Sequence, residues 1–94
     1  MEERALVIIP TYNEKENIRS IIELVLSQAP NVDALVVDDS SPDGTAGIVD
    51  EMAKASPRVH LMSRPGKRGL GTAYIAGFKW GLARGYAYLI ETPV

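Results

Sequence analysis

The 94 residues contain no cysteine, one histidine and one tryptophan, and aromatic side chains make up 6% of the chain. Without cysteine there is neither a disulfide framework nor a thiolate metal site. The single histidine, His60, falls on an alternating stretch and reads as an exposed or hydrogen-bonded side chain rather than a catalyst. No segment approaches the roughly 18 to 20 apolar residues of a membrane span. Linkers, repeats and low-complexity tracts are also missing, so residues 1–94 read as one small domain. The net charge is −2, and Lys and Arg are scattered apart from Arg64, Lys67 and Arg68, which gives no reason to expect a nucleic-acid partner. The start, Met1-Glu2-Glu3-Arg4, is acidic and precedes only a brief apolar run, unlike a secretory signal. The expected location is cytoplasmic, with peripheral association to a membrane left open.

What is present is a repeated alternation of short apolar runs and amphipathic stretches. The central one is Leu35-Val36-Val37-Asp38-Asp39-Ser40-Ser41-Pro42-Asp43-Gly44-Thr45, a β-branched run that stops at two carboxylates. Such a run suits a parallel strand covered on both faces. Ser41 is placed to cap a helix whose first residue is Pro42. Before it, Ala5 to Ile9 forms a first strand closed by Pro10, and Asn13 with Glu16 has capping-box spacing for a helix ending near Ser27 or Gln28. After it come a helix from Thr45 to Ala55, an alternating edge strand from Arg58 to Met62, a helix from Thr72 to Arg84 and a strand from Tyr86 to Ile90. In the third helix Ala73, Gly77 and Gly81 lie four apart, a bare face that requires close packing, most simply against the sheet. The order β-α-β-α-β-α-β predicts a Rossmann-like α/β fold with a parallel sheet.

In open parallel sheets, ligands meet the carboxyl ends of the strands. Three loops gather there: Pro10 to Glu14, Asp38 to Gly44 and Ser63 to Gly71, two acidic or polar and one basic. Their chemistry suits a nucleotide, with a carboxylate accepting from a base or ribose, Tyr12 offering a flat face, and cations near the phosphates. Other phosphate-binding patterns fit poorly. Gly66-Lys67 is followed by Arg68, which breaks the P-loop pattern, and Tyr74 stands where a dinucleotide fingerprint needs a small residue. A phospho-acceptor receiver domain would need a further aspartate after a later strand, where Leu61-Met62-Ser63 stands instead.

The combination of Val7-Ile8-Ile9-Pro10-Thr11-Tyr12-Asn13-Glu14, Val36-Val37-Asp38-Asp39-Ser40-Ser41-Pro42-Asp43-Gly44-Thr45 and Gly69-Leu70-Gly71-Thr72-Ala73-Tyr74 resembles the inverting family 2 glycosyltransferases. Within that family it is most similar to the polyprenol (dolichol) phosphate mannose synthases. The resemblance implies the N-terminal part of a GT-A type nucleotide-sugar domain. It implies that Pro10, Tyr12 and Glu14 line the nucleoside site, that Val37 backs it, and that Asp39 binds the base. It implies GDP-mannose as donor and a polyprenyl phosphate as acceptor. A non-catalytic nucleotide-binding or self-associating module, and a family 2 transferase using another donor such as UDP-glucose, are the alternatives.

The same resemblance implies a divalent cation, Mg or Mn, held by an Asp-x-Asp motif shortly after the fourth strand. Here Glu91 is followed by Thr92, Pro93 and Val94. The 94 residues are therefore expected to hold no metal, to lack the acceptor-binding half, and to be inactive alone. An exposed sheet edge is expected to favour a homo-oligomer.

Overall fold

The computed structural model describes residues 3–66 and 69–92, so Lys67 and Arg68 of the basic loop lie outside the described residues. Four strands, β1 (Ala5–Thr11), β2 (Val32–Asp38), β3 (Val59–Ser63) and β4 (Tyr88–Glu91), form one sheet in the order β3-β2-β1-β4. Every pairing is parallel. The helices α1 (Ile18–Leu26), α2 (Thr45–Ala55) and α3 (Leu70–Ala83) connect them in the expected alternation. The chain steps outward from β1 through β2 to β3, then returns through α3 to place β4 on the far side of β1.

The period-two alternation of a strand divides the core between the two faces. On one face Ile9, Ala34, Val36 and Val59 meet Ile18, Ile22 and Val25 of α1 and Val49 of α2. Those three α1 positions recur at helical spacing, which is why one side of α1 is buried. On the other face Leu6, Ile8, Leu35 and Val37 meet α3. The bare stripe of α3 is what allows that contact. A Cβ at Gly77 would stand 2.6 Å from a methyl of Ile8, and one at Gly81 would stand 2.4 Å from a methyl of Leu89. β1 and β2 are covered on both sides, while β3 and β4 are edges; β3 runs from buried Val59 through half-buried His60, Leu61 and Met62 to exposed Ser63, without the alternation in exposure that the polarity of Arg58 to Met62 suggests.

The helix starts depart from the sequence reading. Asn13 does not cap α1: its backbone is left-handed, with φ of 58°, and its N–H donates to Ser41 Oγ at 2.9 Å. α1 begins only at Ile18 because Glu14 to Asn17 form a turn instead, the Ile18 N–H reaching Glu14 O at 2.8 Å. Ser41 likewise does not cap a helix starting at Pro42. α2 begins at Thr45 after the cap residue Gly44, whose φ of 95° favours glycine, and Asp43, one residue before the cap, accepts the Thr45 N–H at 3.0 Å. α3 starts two residues earlier than Thr72, since Gly69 at φ 93° turns the chain directly into it.

At the amino end of the sheet, Asp33 is buried beneath the start of β1. Tyr86 Oη donates to its Oδ2 at 2.6 Å, the Arg4 guanidinium donates to both of its oxygens, and His60 Nε2 lies 3.8 Å away. His60 also packs its ring 5.0 Å from that of Trp80, so the lone histidine is a packed neighbour of a carboxylate. Burial pushes the Asp33 carboxyl up, but the hydrogen bonds from Arg4 and Tyr86 and the charge of Arg4 outweigh it and hold the group below its ordinary range. An acid depressed in the folded state gives stability above its unfolded pKa of about 4 and loses it as pH falls through the folded value. Urea unfolding of the protein and its Asp33→Asn variant should therefore differ most at neutral pH, with the gap narrowing below about pH 4. A gap independent of pH would contradict the ion-pair account.

Candidate functional site

At the carboxyl end of the sheet the first two loops are stitched together by three crossing bonds. The N–H groups of Asn13, Glu14 and Lys15 donate in turn to Ser41 Oγ (2.9 Å), Thr45 Oγ1 (3.1 Å) and Asp43 Oδ2 (3.0 Å). Thr45 and Lys15 donate to Asp43, the Thr45 hydroxyl most strongly, and they hold its carboxyl below the usual range. The third loop joins through Ser40, whose Oγ donates to Arg64 O at 2.6 Å and accepts from the Gly66 N–H at 3.2 Å. Asn13 and Ser40, the two non-glycine residues with positive φ among those described, are where the chain leaves β1 and β2. Short polar side chains tolerate that conformation better than most.

The adjacent aspartates point to opposite faces, because alternation continues past the strand end. Asp38 faces inward and is 1% exposed. It accepts from Thr11 Oγ1 at 2.7 Å, from Ser41 Oγ at 2.6 Å and from the Ser41 N–H at 3.0 Å. It is thus a structural knot between the loops, and of the two carboxylates that end the run only Asp39 lines the cleft described below. Asp39 turns to the α3 face. Its Oδ1 accepts from Arg64 Nε at 2.7 Å and its Oδ2 from an Arg64 terminal nitrogen at 2.9 Å, a two-pronged ion pair. The Asp39 N–H bonds Thr11 O at 3.1 Å, fixing the residue to the end of β1.

Beside Asp39 a cleft of about 130 Å³ opens between the end of β1 and the start of α3, lined by Pro10, Tyr12, Asp39, Gly69, Leu70 and Ala73. Three of the five residues named from the sequence, Pro10, Tyr12 and Asp39, therefore share one cavity although Asp39 is remote from the others in the chain. Val37 is fully buried in the cluster that also contains Ala73, behind the cleft. Glu14 does not line it; it belongs to the rim through its N–H to Thr45 and its contact with Asn17. Leu70 and Ala73 join the lining without a sequence signal of their own, beyond the Gly69-Leu70-Gly71 turn that marks where a helix begins against the sheet. The pairing of Arg64 with Asp39 is equally invisible in the letters. Sequence groups Arg64 with Lys67 and Arg68 as a cation for phosphates, and only the return of β3 beside β2 brings it to the carboxylate.

The rim carboxylates do not fit a divalent cation. Asp38, Asp39 and Asp43 all accept from N–H or O–H donors, and among the described residues no three acidic or histidine side chains converge.

If Asp38 joins the loops, Asp38→Ala leaves the buried Thr11 hydroxyl and the half-buried Ser41 donors without their acceptor, at a cost of about 1 to 3 kcal/mol. Thermal or urea unfolding measures this directly. A loss below about 0.5 kcal/mol would contradict the role, since surface substitutions fall within that range.

Known proteins share this architecture. Residues 6–90 match the model of glycosyl transferase family 2. The chain is 59% identical over 90 residues to the polyprenol monophosphomannose synthase of Mycolicibacterium smegmatis, covering 95% of this chain and 34% of that protein. It is 52% identical over 88 residues to the undecaprenyl-phosphate mannosyltransferase of Micrococcus luteus, covering 94% of this chain and 36% of that protein. The chain thus spans about a third of the length of these relatives. Among solved structures, it is similar to the mannosyltransferase PcManGT from Pyrobaculum calidifontis in complex with GDP-Man and Mn2+, with a TM-score of 0.70 and 28% identity over 85% of this chain and 25% of the other. The parallel sheet, the knot at Asp38, the cleft at Asp39 and the match over residues 6–90 agree: the chain belongs to glycosyl transferase family 2.

Proposed function

We propose that the chain carries the donor-recognition part of a polyprenyl-phosphate mannosyltransferase that uses GDP-mannose. The observation that carries this reading is the Asp39 carboxylate at the cleft beside Tyr12, with two oxygens aligned to accept a fork of two N–H donors. In the structure the guanidinium of Arg64 occupies that fork, so a guanine read in this way takes the place of Arg64 on the Asp39 carboxylate. A guanine edge offers the same arrangement, a ring N–H beside an exocyclic amino group, whereas uracil presents one N–H flanked by two carbonyls that repel a carboxylate. Pro10, Tyr12 and Leu70 supply the apolar walls against which a flat base rests. The mannosyltransferase names of the relatives, and the GDP-Man of the PcManGT complex, support the same donor.

In this reading the base sits against Tyr12 and Asp39, and Glu14 belongs to the shell that orients the first loop. Mannose passes in one displacement with inversion. An oxygen of the lipid phosphate forms the new bond to the anomeric carbon as the bond to GDP breaks. A divalent cation, if the whole protein uses one, would stabilise charge on the departing diphosphate and would be held by residues other than the rim carboxylates described above. The Mn2+ of the PcManGT complex is consistent with such a cation.

Calorimetry on the protein at its full natural length tests the reading. GDP-mannose should bind more tightly than UDP-glucose, and Asp39→Ala should weaken GDP-mannose at least about tenfold, or about 1.4 kcal/mol, with the circular dichroism unchanged. Equal affinity of the variant and the parent would remove Asp39 from base recognition. Preference for UDP-glucose would replace the donor, and binding without transfer to a polyprenyl phosphate would leave a recognition module.

A further inference from the structure

Arg64 reaches Asp39 because of strand register. β2 and β3 run parallel with Asp38 beside Ser63, so the next residue at each strand end, Asp39 and Arg64, stand side by side. The Arg64 backbone is pinned there at both of its polar groups: its N–H donates to Asp38 O at 2.8 Å, and its carbonyl accepts from Ser40 Oγ at 2.6 Å. The side chain is the part free to swing. In the empty protein Nε and Nη2 donate to the two Asp39 oxygens, and the pair is well enclosed, with the Arg64 side chain 11% and the Asp39 side chain 8% exposed.

The same guanidinium has acceptors outside the carboxylate. Nη1 lies 3.2 Å from Thr72 Oγ1 and Nη2 lies 3.5 Å from Gly69 O, both at the start of α3. A guanidinium and the edge of guanine are alike in the feature that matters here, since each presents two adjacent N–H donors in a planar fork that fits a carboxylate. The empty cleft, about 130 Å³, is smaller than the roughly 300 Å³ at which ligand pockets begin, so part of its wall must yield to a nucleoside.

We propose that Arg64 is an internal competitor for the nucleoside: its side chain holds the Asp39 carboxylate in the empty protein and sets the donor affinity because it has to be displaced. This deepens the donor reading and rests on it. An enclosed carboxylate without a partner is costly, and the pair removes that cost while the site is empty. On binding, two bonds pass from Arg64 to the base, so the Asp39 oxygens stay occupied, and the guanidinium keeps Thr72 and Gly69. The state with Asp39 released is a minor one in the absence of ligand, and the apparent affinity is reduced by its fraction. A merely cohesive ion pair predicts the opposite sign, because removing it would loosen the cleft and weaken binding.

Guanosine is the probe, since it offers the base without a phosphate for a cation to attract. Its binding is measured on the protein at its full natural length at about pH 8, well above the carboxylate range. Arg64→Met keeps much of the stem and removes the fork. Arg64→Lys keeps a charge beside Asp39 without a planar fork, and it carries the test should the first variant not fold. Guanosine should bind Arg64→Lys at least about threefold more tightly than the parent, and Arg64→Met more tightly still, even though urea unfolds both variants more readily. In the parent, the Arg64 Nε–H NMR signal should shift and exchange faster with solvent as guanosine saturates. Unchanged or weaker guanosine binding in the variants, or an Nε–H signal unmoved at saturation, would overturn the proposal. Asp39→Ala separates it from the donor reading. A loss of guanosine binding there, with no gain in the Arg64 variants, leaves the donor reading standing and removes the competitor; no loss in Asp39→Ala removes both.

Discussion

The rim of this sheet depends on one buried carboxylate that never meets solvent. Asp38 accepts three hydrogen bonds, from Thr11 at the end of β1 and from both donors of Ser41, while Ser41 in turn accepts from Asn13. The bonds close a ring between the first two strand ends, and the Arg64 N–H to Asp38 O at 2.8 Å ties in the third. In a low-dielectric interior such bonds are strong only when all are made, so the three loops hold one another or none. Asp39 follows directly, and its position over the cleft is inherited from that knot. The left-handed residues Asn13 and Ser40 are tolerable for the same reason: the surrounding bonds over-determine them.

The two ends of the sheet divide the work. Asp33 at the amino end and Asp39 at the carboxyl end sit on the same face of the strand system, and both are buried carboxylates paired with arginine. Asp33 is enclosed by Arg4, Tyr86 and His60, and it serves cohesion. Asp39 has the Arg64 fork on one side and the cleft on the other. That difference in surroundings separates a structural ion pair from the carboxylate proposed to read the base. Close approach of α3, possible only because Gly77 and Gly81 have no side chain, shapes the cleft wall at Ala73 and Leu70.

The order of elements is legible in the sequence because the two central strands contain unbroken apolar runs and α1 has a clear stripe of Ile18, Ile22 and Val25. So is the approach of α3, since Gly77 and Gly81 have no other use in a helix. What the letters do not convey is which way polar groups turn at the strand ends. Asn13 and Ser41 carry local helix-capping chemistry, yet their partners come from each other's loop, and tertiary hydrogen bonds outcompete the local ones. The split between Asp38 and Asp39 is recoverable from alternation along β2. The Arg64 bond is not, because it depends on strand order. Of the five predicted site residues, Pro10, Tyr12 and Asp39 line the cleft, Val37 lies behind it, and Glu14 supports its rim.

The central claim is that a nucleoside is read at the carboxyl edge of the sheet, between Tyr12 and Asp39. An amide NMR titration of the protein with GDP addresses it most directly. The account predicts saturable shifts at Tyr12, Asp39, Leu70 and Ala73, with the amides of Asp33 and His60 unmoved. Shifts centred on Asp33 and His60 at the opposite end of the sheet, or none at all, would contradict it.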